Sequence, residues 1–190
     1  MQREKQRVIQ LIGYASGFAA NNIDCALGPW CLYYHPEFFA KRGLQVAWAG
    51  MMKASTAEQG LDAMPSIIQL TTALGLTVVS HLKKNQPFCV LGGDHACAMG
   101  TWNAVAHVHR SRGPIGLIWI DAHMDCHTPD TSKTKNIHGM PLAHLLGQGN
   151  QDLINILDSM PAVKPENVCL IGIRSYELEE KAMLERLGVK

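Results

Sequence analysis

Short runs that are almost wholly apolar alternate with longer segments of helical period along this chain, and that alternation narrows the fold more than any single motif. Strand-like runs cover residues 8–14, 44–48, 88–91, 115–120 and 168–173. Helical patterns cover residues 30–42, 64–84, 97–110, 140–146 and 178–187. Strands apolar on both faces and separated by helices pair in parallel and are covered by helices on each side. The expected architecture is therefore α/β, a three-layer α/β/α parallel sheet. With 190 residues, 47% of them hydrophobic, the chain can bury a real core and stays within the size of one domain. No repeat, low-complexity tract or linker divides it.

Polar residues of a particular kind follow three of these segments. Asp121-Ala122-His123-Met124-Asp125 comes directly after the run 115–120. In an extended segment alternate side chains share a face, so two carboxylates and an imidazole are expected to converge just past a strand's carboxyl end. Open α/β sheets place their ligands there. Gly92-Gly93-Asp94-His95 follows the run 87–91, where paired glycines let the backbone turn sharply and aim His95 across the sheet. Asn136-Ile137-His138-Gly139 closes a polar loop, residues 126–137, whose length beside a site marks it as the expected substrate reader. Carboxylates with imidazole and no thiolate suit a harder divalent ion, manganese before zinc, although zinc, cobalt or nickel fits the same donors. The glycine pair lacks the spacing of a dinucleotide or P-loop motif, which excludes that reading.

These markers together resemble the arginase and agmatinase family of manganese ureohydrolases: a Gly-Gly-Asp-His strand end, an Asp-Ala-His-x-Asp strand end and a later His-Gly. The likeness extends to Ile12-Gly13, Gly28-Pro29 and Ile171-Gly172-Ile173-Arg174, and Thr128-Pro129 with Asn136-Ile137-His138-Gly139 align with the arginase branch without a gap. The resemblance implies two Mn2+ ions, one held by His95 and Asp125, the other by His123, with Asp121 bridging them. It implies a bridging hydroxide that attacks a guanidinium carbon, and His138 as the proton relay beside Asp125 in the catalytic group. L-arginine, cleaved to L-ornithine and urea, is the implied substrate, with agmatine, a guanidino acid or formiminoglutamate as alternatives. An amino acid's carboxylate would be read by His127, Ser132 and Thr134, and its ammonium by Glu177. His127 stands where the family carries Asn, and Glu177 where it carries Asp. A homo-oligomer, trimer or hexamer, is implied as well. The family's second metal motif, Asp-x-Asp, would follow Lys190, so residues 1–190 are expected to form a single ureohydrolase domain incomplete at its C-terminus, or an inactive truncated member. A histone-deacetylase-like enzyme shares Asp-x-His but continues His-His-Gly-Asp-Gly, which is absent.

Seventeen Lys and Arg against 16 Asp and Glu leave a formal charge of +1, so a nucleic-acid or anionic-membrane footprint is excluded and a small-molecule partner is expected. No run approaches the roughly 18 apolar residues of a membrane span. Six cysteines without a Cys-x-x-Cys pair read as buried free thiols of a reducing, cytoplasmic compartment. Residues 1–7 and the apolar stretch 8–20 have the outline of a signal peptide. Gln10, Gly13, Ser16 and Gly17 interrupt it, and a first strand with its loop is expected instead. His35, His81, His107, His109 and His144 are read as packing or solvent residues, and Cys126 as pointing away from the ions.

Overall fold

All strand pairing in the computed structural model is parallel, and the strands fall into two hydrogen-bonded groups. The structure describes residues 8–54 and 56–189; residues 1–7, the start of the leader-like stretch, lie outside them. The first group has the order β2–β1–β3, from β1 (Ile9–Ala15), β2 (Val46–Lys53) and β3 (Phe88–Gly92). The second pairs β4 (Leu117–Ile120) with β5 (Val168–Ile171), Leu117 opposite Val168. Helices separate the strands: α1 (Leu27–Tyr34), α2 (Glu37–Ala40), α3 (Met64–Lys83), α4 (Cys97–His109), α5 (Pro141–Leu145), α6 (Gln151–Ile154) and α7 (Leu178–Leu187). This is the α/β, parallel architecture expected.

The strongly periodic helices form where the pattern predicts them. In α3 the buried residues Ile67, Leu70, Thr71, Leu74, Gly75, Val78 and Val79 recur at the helical spacing and form one stripe. Residues 60–83, counting the preceding 3₁₀ turn, are long and apolar enough to cross a membrane by length and composition. That corrects the expectation that no such segment exists. The stripe faces the core beside Ile12, Tyr14 and Met99, which is the placement of a core helix. For α7, Glu177 and Glu180 form a reciprocal capping box and Gly188 closes the far end with φ 77°.

Departures have local causes. The single helix expected over 30–42 is two, because Pro36 lacks an N–H and pushes His35 out of helical geometry to φ −120°, ψ 62°. Strand β2 runs on to Lys53, past a register shift opposite Leu11 and Ile12 that leaves Ala49 as the extra, unpaired residue. The short helix α6 was not anticipated; Asn150 caps it by accepting from Asp152 N at 2.9 Å and Leu153 N at 3.2 Å. Two-sided burial does not extend to β4 and β5. Leu117 and Trp119 are buried, whereas Ile118 and Ile120 are 65% and 76% exposed and Ile171 lies open beside them. The cysteines are all free, but Cys31, Cys89 and Cys169 are exposed rather than buried, the last two because they project from uncovered sides of β3 and β5.

Two cores meet at α4. Met99 and Ala104 belong to the core under β1, and Ala98 and Ala106 to the one formed by Leu117, Trp119, Leu142, Leu145, Val168 and Met183. Helices α3 and α4 approach backbone to backbone: a methyl at Gly100 would collide with the Thr71 carbonyl, and one at Gly75 would lie 3.2 Å from Gly100 O. Gly100→Ala should therefore push the helices apart and cost about 1–3 kcal/mol despite the better helix propensity of alanine, measured as a lowered midpoint of urea unfolding.

His144 is fully buried, its Nδ1 2.8 Å from Met140 O and its Nε2 accepting from Asn150 N at 3.1 Å. Burial holds its pKa below the ordinary value, against the Met140 carbonyl, which raises it. The folded state thus binds fewer protons here than the unfolded chain. The stability from this group is present above about pH 6.5 and is lost as pH falls through the lower folded value. Unfolding midpoints at pH 7.5 and 5.5 should show a smaller loss on acidification in His144→Leu than in the wild type. The variant itself should be less stable by about 1–3 kcal/mol at pH 7.5, since Asn150 N–H loses its acceptor.

Candidate metal centre

The segments that leave the carboxyl ends of β3 and β4 meet. His95 follows β3, and its ring stacks on Trp119 of β4 with centroids 4.6 Å apart and planes 21° from parallel. Its Nδ1 lies 2.6 Å from Asp125 Oδ2 and 3.3 Å from Asp121 Oδ2. The other Asp121 oxygen, Oδ1, is 3.4 Å from His123 Nδ1 and accepts from His123 N at 2.8 Å. One carboxylate thus stands between two imidazoles, with a separate oxygen toward each. His95, Asp121 and Asp125 each bring a donor atom within 4.8 Å of the others, whereas the exposed His123 reaches only Asp121. Two imidazoles, two carboxylates and no thiol form a donor set that fits a hard or borderline divalent ion.

The convergence does not come from an extended segment with alternating faces. Strand β4 stops at Ile120, and Asp125 has φ 48°, in the left-handed region, so the chain curls to bring Asp125 back toward His95. Backbone bonds hold the curl: Asp121 N to Ile171 O at 3.1 Å, Arg174 N to Ala122 O at 2.9 Å and Leu142 N to Asp125 O at 2.9 Å. Gly172, at φ 90°, has no room for a side chain without pressing on Asp121 O, 3.2 Å from where a methyl would sit. Burial pulls the His95 pKa down, but Asp125, then Asp121 and Asp94, outweigh it and the net shift is upward. For His138 burial dominates and lowers the pKa, with Asp125 opposing.

These groups line a cavity of about 410 Å³, within the range of small-molecule sites, together with His127, Gly139, Ser175, Tyr176, Glu177 and Glu180. Of the residues expected from sequence, His95, Asp121, His123, Asp125, His127, His138 and Glu177 are brought together. Ser132 and Thr134 are not. Ser132 is buried, its Oγ accepting from Lys135 N at 3.0 Å, and exposed Thr134 accepts from Asn136 N at 3.4 Å, so both hydroxyls lock the loop's own turn. His127 Nδ1 lies 3.1 Å from Thr131 Oγ1, and its Nε2 faces Glu180 at 3.6 Å and Glu177 at 3.8 Å. Lys133 Nζ lies 3.2 Å from Glu177 Oε2 at the rim. Ser175, Tyr176 and Glu180 escaped sequence reasoning. Their position just after a strand end was a usable signal, and Glu180 carries a second one, three residues beyond the helix cap. Cys126 turns away, its Sγ 3.6 Å from Met183 Sδ.

Parallel strands whose carboxyl ends gather imidazoles and carboxylates define an α/β protein with a candidate site for divalent metal. A model of the arginase family matches residues 17–190, and the chain belongs to that family. It is 30% identical to the arginase of Staphylococcus aureus (strain COL) over 196 residues, an alignment covering 98% of this chain and 63% of the relative. Identity rises to 46% over 133 residues with the arginase of Bacillus subtilis (strain 168), covering 70% and 44%. A crystal structure of arginase from Bacillus subtilis superposes with a TM-score of 0.85 at 32% identity, over 97% of this chain and 62% of that one. The chain thus spans a little under two thirds of the length of these relatives.

Proposed function

We propose that this chain carries the catalytic strand ends of a ureohydrolase that cleaves the guanidinium group of L-arginine to L-ornithine and urea, with two Mn2+ ions as cofactor. The observation that carries this reading is the Asp121 carboxylate, which offers one oxygen beside His95 and the other beside His123 on the floor of a cavity with carboxylates on its wall. His95, Asp125, Asp121 and His123 are the residues that would hold the ions. When bound, such ions lower the pKa of water and polarise the carbon it attacks.

The chain's own groups account for the remainder. His138 is half-buried with a lowered pKa, so it is neutral at neutral pH and able to take up a proton and deliver it to the departing amine. The 2.6 Å approach of Asp125 Oδ2 to His95 Nδ1 sets these two donors side by side. Glu177, which lines the cavity beside Lys133 and His127, offers the carboxylate that would attract the substrate's ammonium group. A second reading, agmatine, draws on the turned-away hydroxyls of Ser132 and Thr134, since agmatine has an ammonium but no carboxylate to be read. Relatives named arginase favour the amino acid.

Urea release by the manganese-loaded protein from L-arginine, agmatine and 4-guanidinobutyrate decides between them. L-arginine should be turned over best. A preference for agmatine would transfer the assignment to the second reading, and no urea from any of the three would overturn the proposed activity. Asp121→Asn should lose metal and activity together, because one change weakens two coordination positions. His138→Asn should keep its metal while turnover falls by about 10² or more. Metal content measured beside rate separates the roles, and an emptied site in His138→Asn would make His138 a ligand instead of a relay.

A further inference from the structure

The Asp94 carboxylate lies outside the cavity and is 4% exposed, yet three hydrogen bonds converge on it. Its Oδ1 accepts from Ala96 N at 3.0 Å, at the start of α4. Its Oδ2 accepts from Ser16 Oγ at 2.9 Å and from Ala19 N at 3.3 Å, both in the loop that leaves β1. The backbone repeats the join, with Asp94 N donating to Ser16 O at 2.8 Å and Gly93 N to Tyr14 O at 2.8 Å. On its other side the same peptide segment holds the proposed relay: Ala19 O accepts from His138 N at 2.9 Å. Ala19 is fully buried, so neither bond has water to replace it. Among the described residues no group hydrogen-bonds the His138 ring. Its place at the cavity is therefore set by its backbone, which Ala19 O holds through the His138 N–H and His127 N holds through Gly139 O at 3.1 Å.

We propose that Asp94 is a positioning residue: it grips the Ser16–Ala19 loop and thereby fixes His138 relative to His95, its own neighbour in sequence. The assignment rests on His138 acting as the relay of the proposed reaction. A buried carboxylate suits the task because one oxygen serves the helix start that follows His95 while the other serves the loop that carries His138, which ties two separated elements to one rigid group. Asn at this position keeps an acceptor for Ala96 but turns an amide NH2 toward Ala19 N–H. The link to His138 is then lost with little change in shape.

Two measurements on Asp94→Asn test this. Amide hydrogen exchange should quicken by roughly tenfold or more at Ala19 and His138 while Leu74 in α3 stays as protected as in the wild type. In the manganese-loaded protein Asp94→Asn should lower turnover by about tenfold or more, as misplacing a reacting group does, but by less than about twofold when added to His138→Asn. A general loss of folding would instead multiply through both backgrounds, and that outcome overturns the proposal, as does unaltered exchange at His138. Should Asp94→Asn fail to fold, Ser16→Ala removes only one of the three bonds and should quicken His138 exchange several-fold; no change there also overturns it. If the wild type releases no urea, the ureohydrolase reading falls, and the exchange at His138 still decides whether Asp94 positions that residue.

Discussion

Among the described residues the two groups of parallel strands share no ladder, so the fold depends on how they are joined at the point where their carboxyl ends meet. Part of the joint is α4, whose small residues contribute to both cores. The rest is His95. It extends from the end of β3, stacks on Trp119 of β4 and contacts Asp121 and Asp125 beyond it. A flat contact of this kind adds about 0.5–1.5 kcal/mol beyond the area it buries. A residue that helps join the two halves therefore also brings an imidazole nitrogen to the carboxylates, so the packing of the fold and the geometry of the candidate site are coupled.

Charge is distributed to the same end. The chain as a whole is nearly neutral, with 17 basic and 16 acidic side chains. Asp121, Asp125, Glu177 and Glu180 nevertheless line a single cavity. Concentrating carboxylates in a concave, partly desolvated place focuses a negative potential that a neutral surface elsewhere does not dilute. Glu180 is stabilised there by backbone donors, Cys126 N at 3.1 Å and Glu177 N at 2.9 Å. The wall consequently favours a ligand that brings a cationic group and disfavours one carrying a net negative charge.

How much of this was legible in the sequence follows from the range of the forces involved. Helices α3, α4 and α7 were readable almost to the residue, because a stripe repeating at i+3 and i+4 over three to five turns is a local signal. The grouping of His95, Asp121 and Asp125 was readable because strand ends in parallel sheets are where side chains converge. Their mode of convergence was not, since the left-handed turn at Asp125 depends on bonds to residues 142 and 171–175 that no local pattern announces. Ser132 and Thr134 misled for the related reason that a hydroxyl near a site looks the same whether it faces a ligand or closes its own turn. The one-sided exposure of β4 and β5 was hidden too, because the apolar run 115–120 reads identically whether one face or both are covered.

The backbone at Asp125 sets the molecule's durability against its chemistry. A residue other than glycine held at φ 48° costs on the order of 1–3 kcal/mol, and glycine or asparagine would sit there more comfortably. Selection for heat resistance alone would accordingly drift toward replacing this aspartate. A library ranked by melting temperature would enrich chains with firmer turns and without the carboxylate beside His95, so any effort to harden this protein has to keep position 125 fixed from the outset.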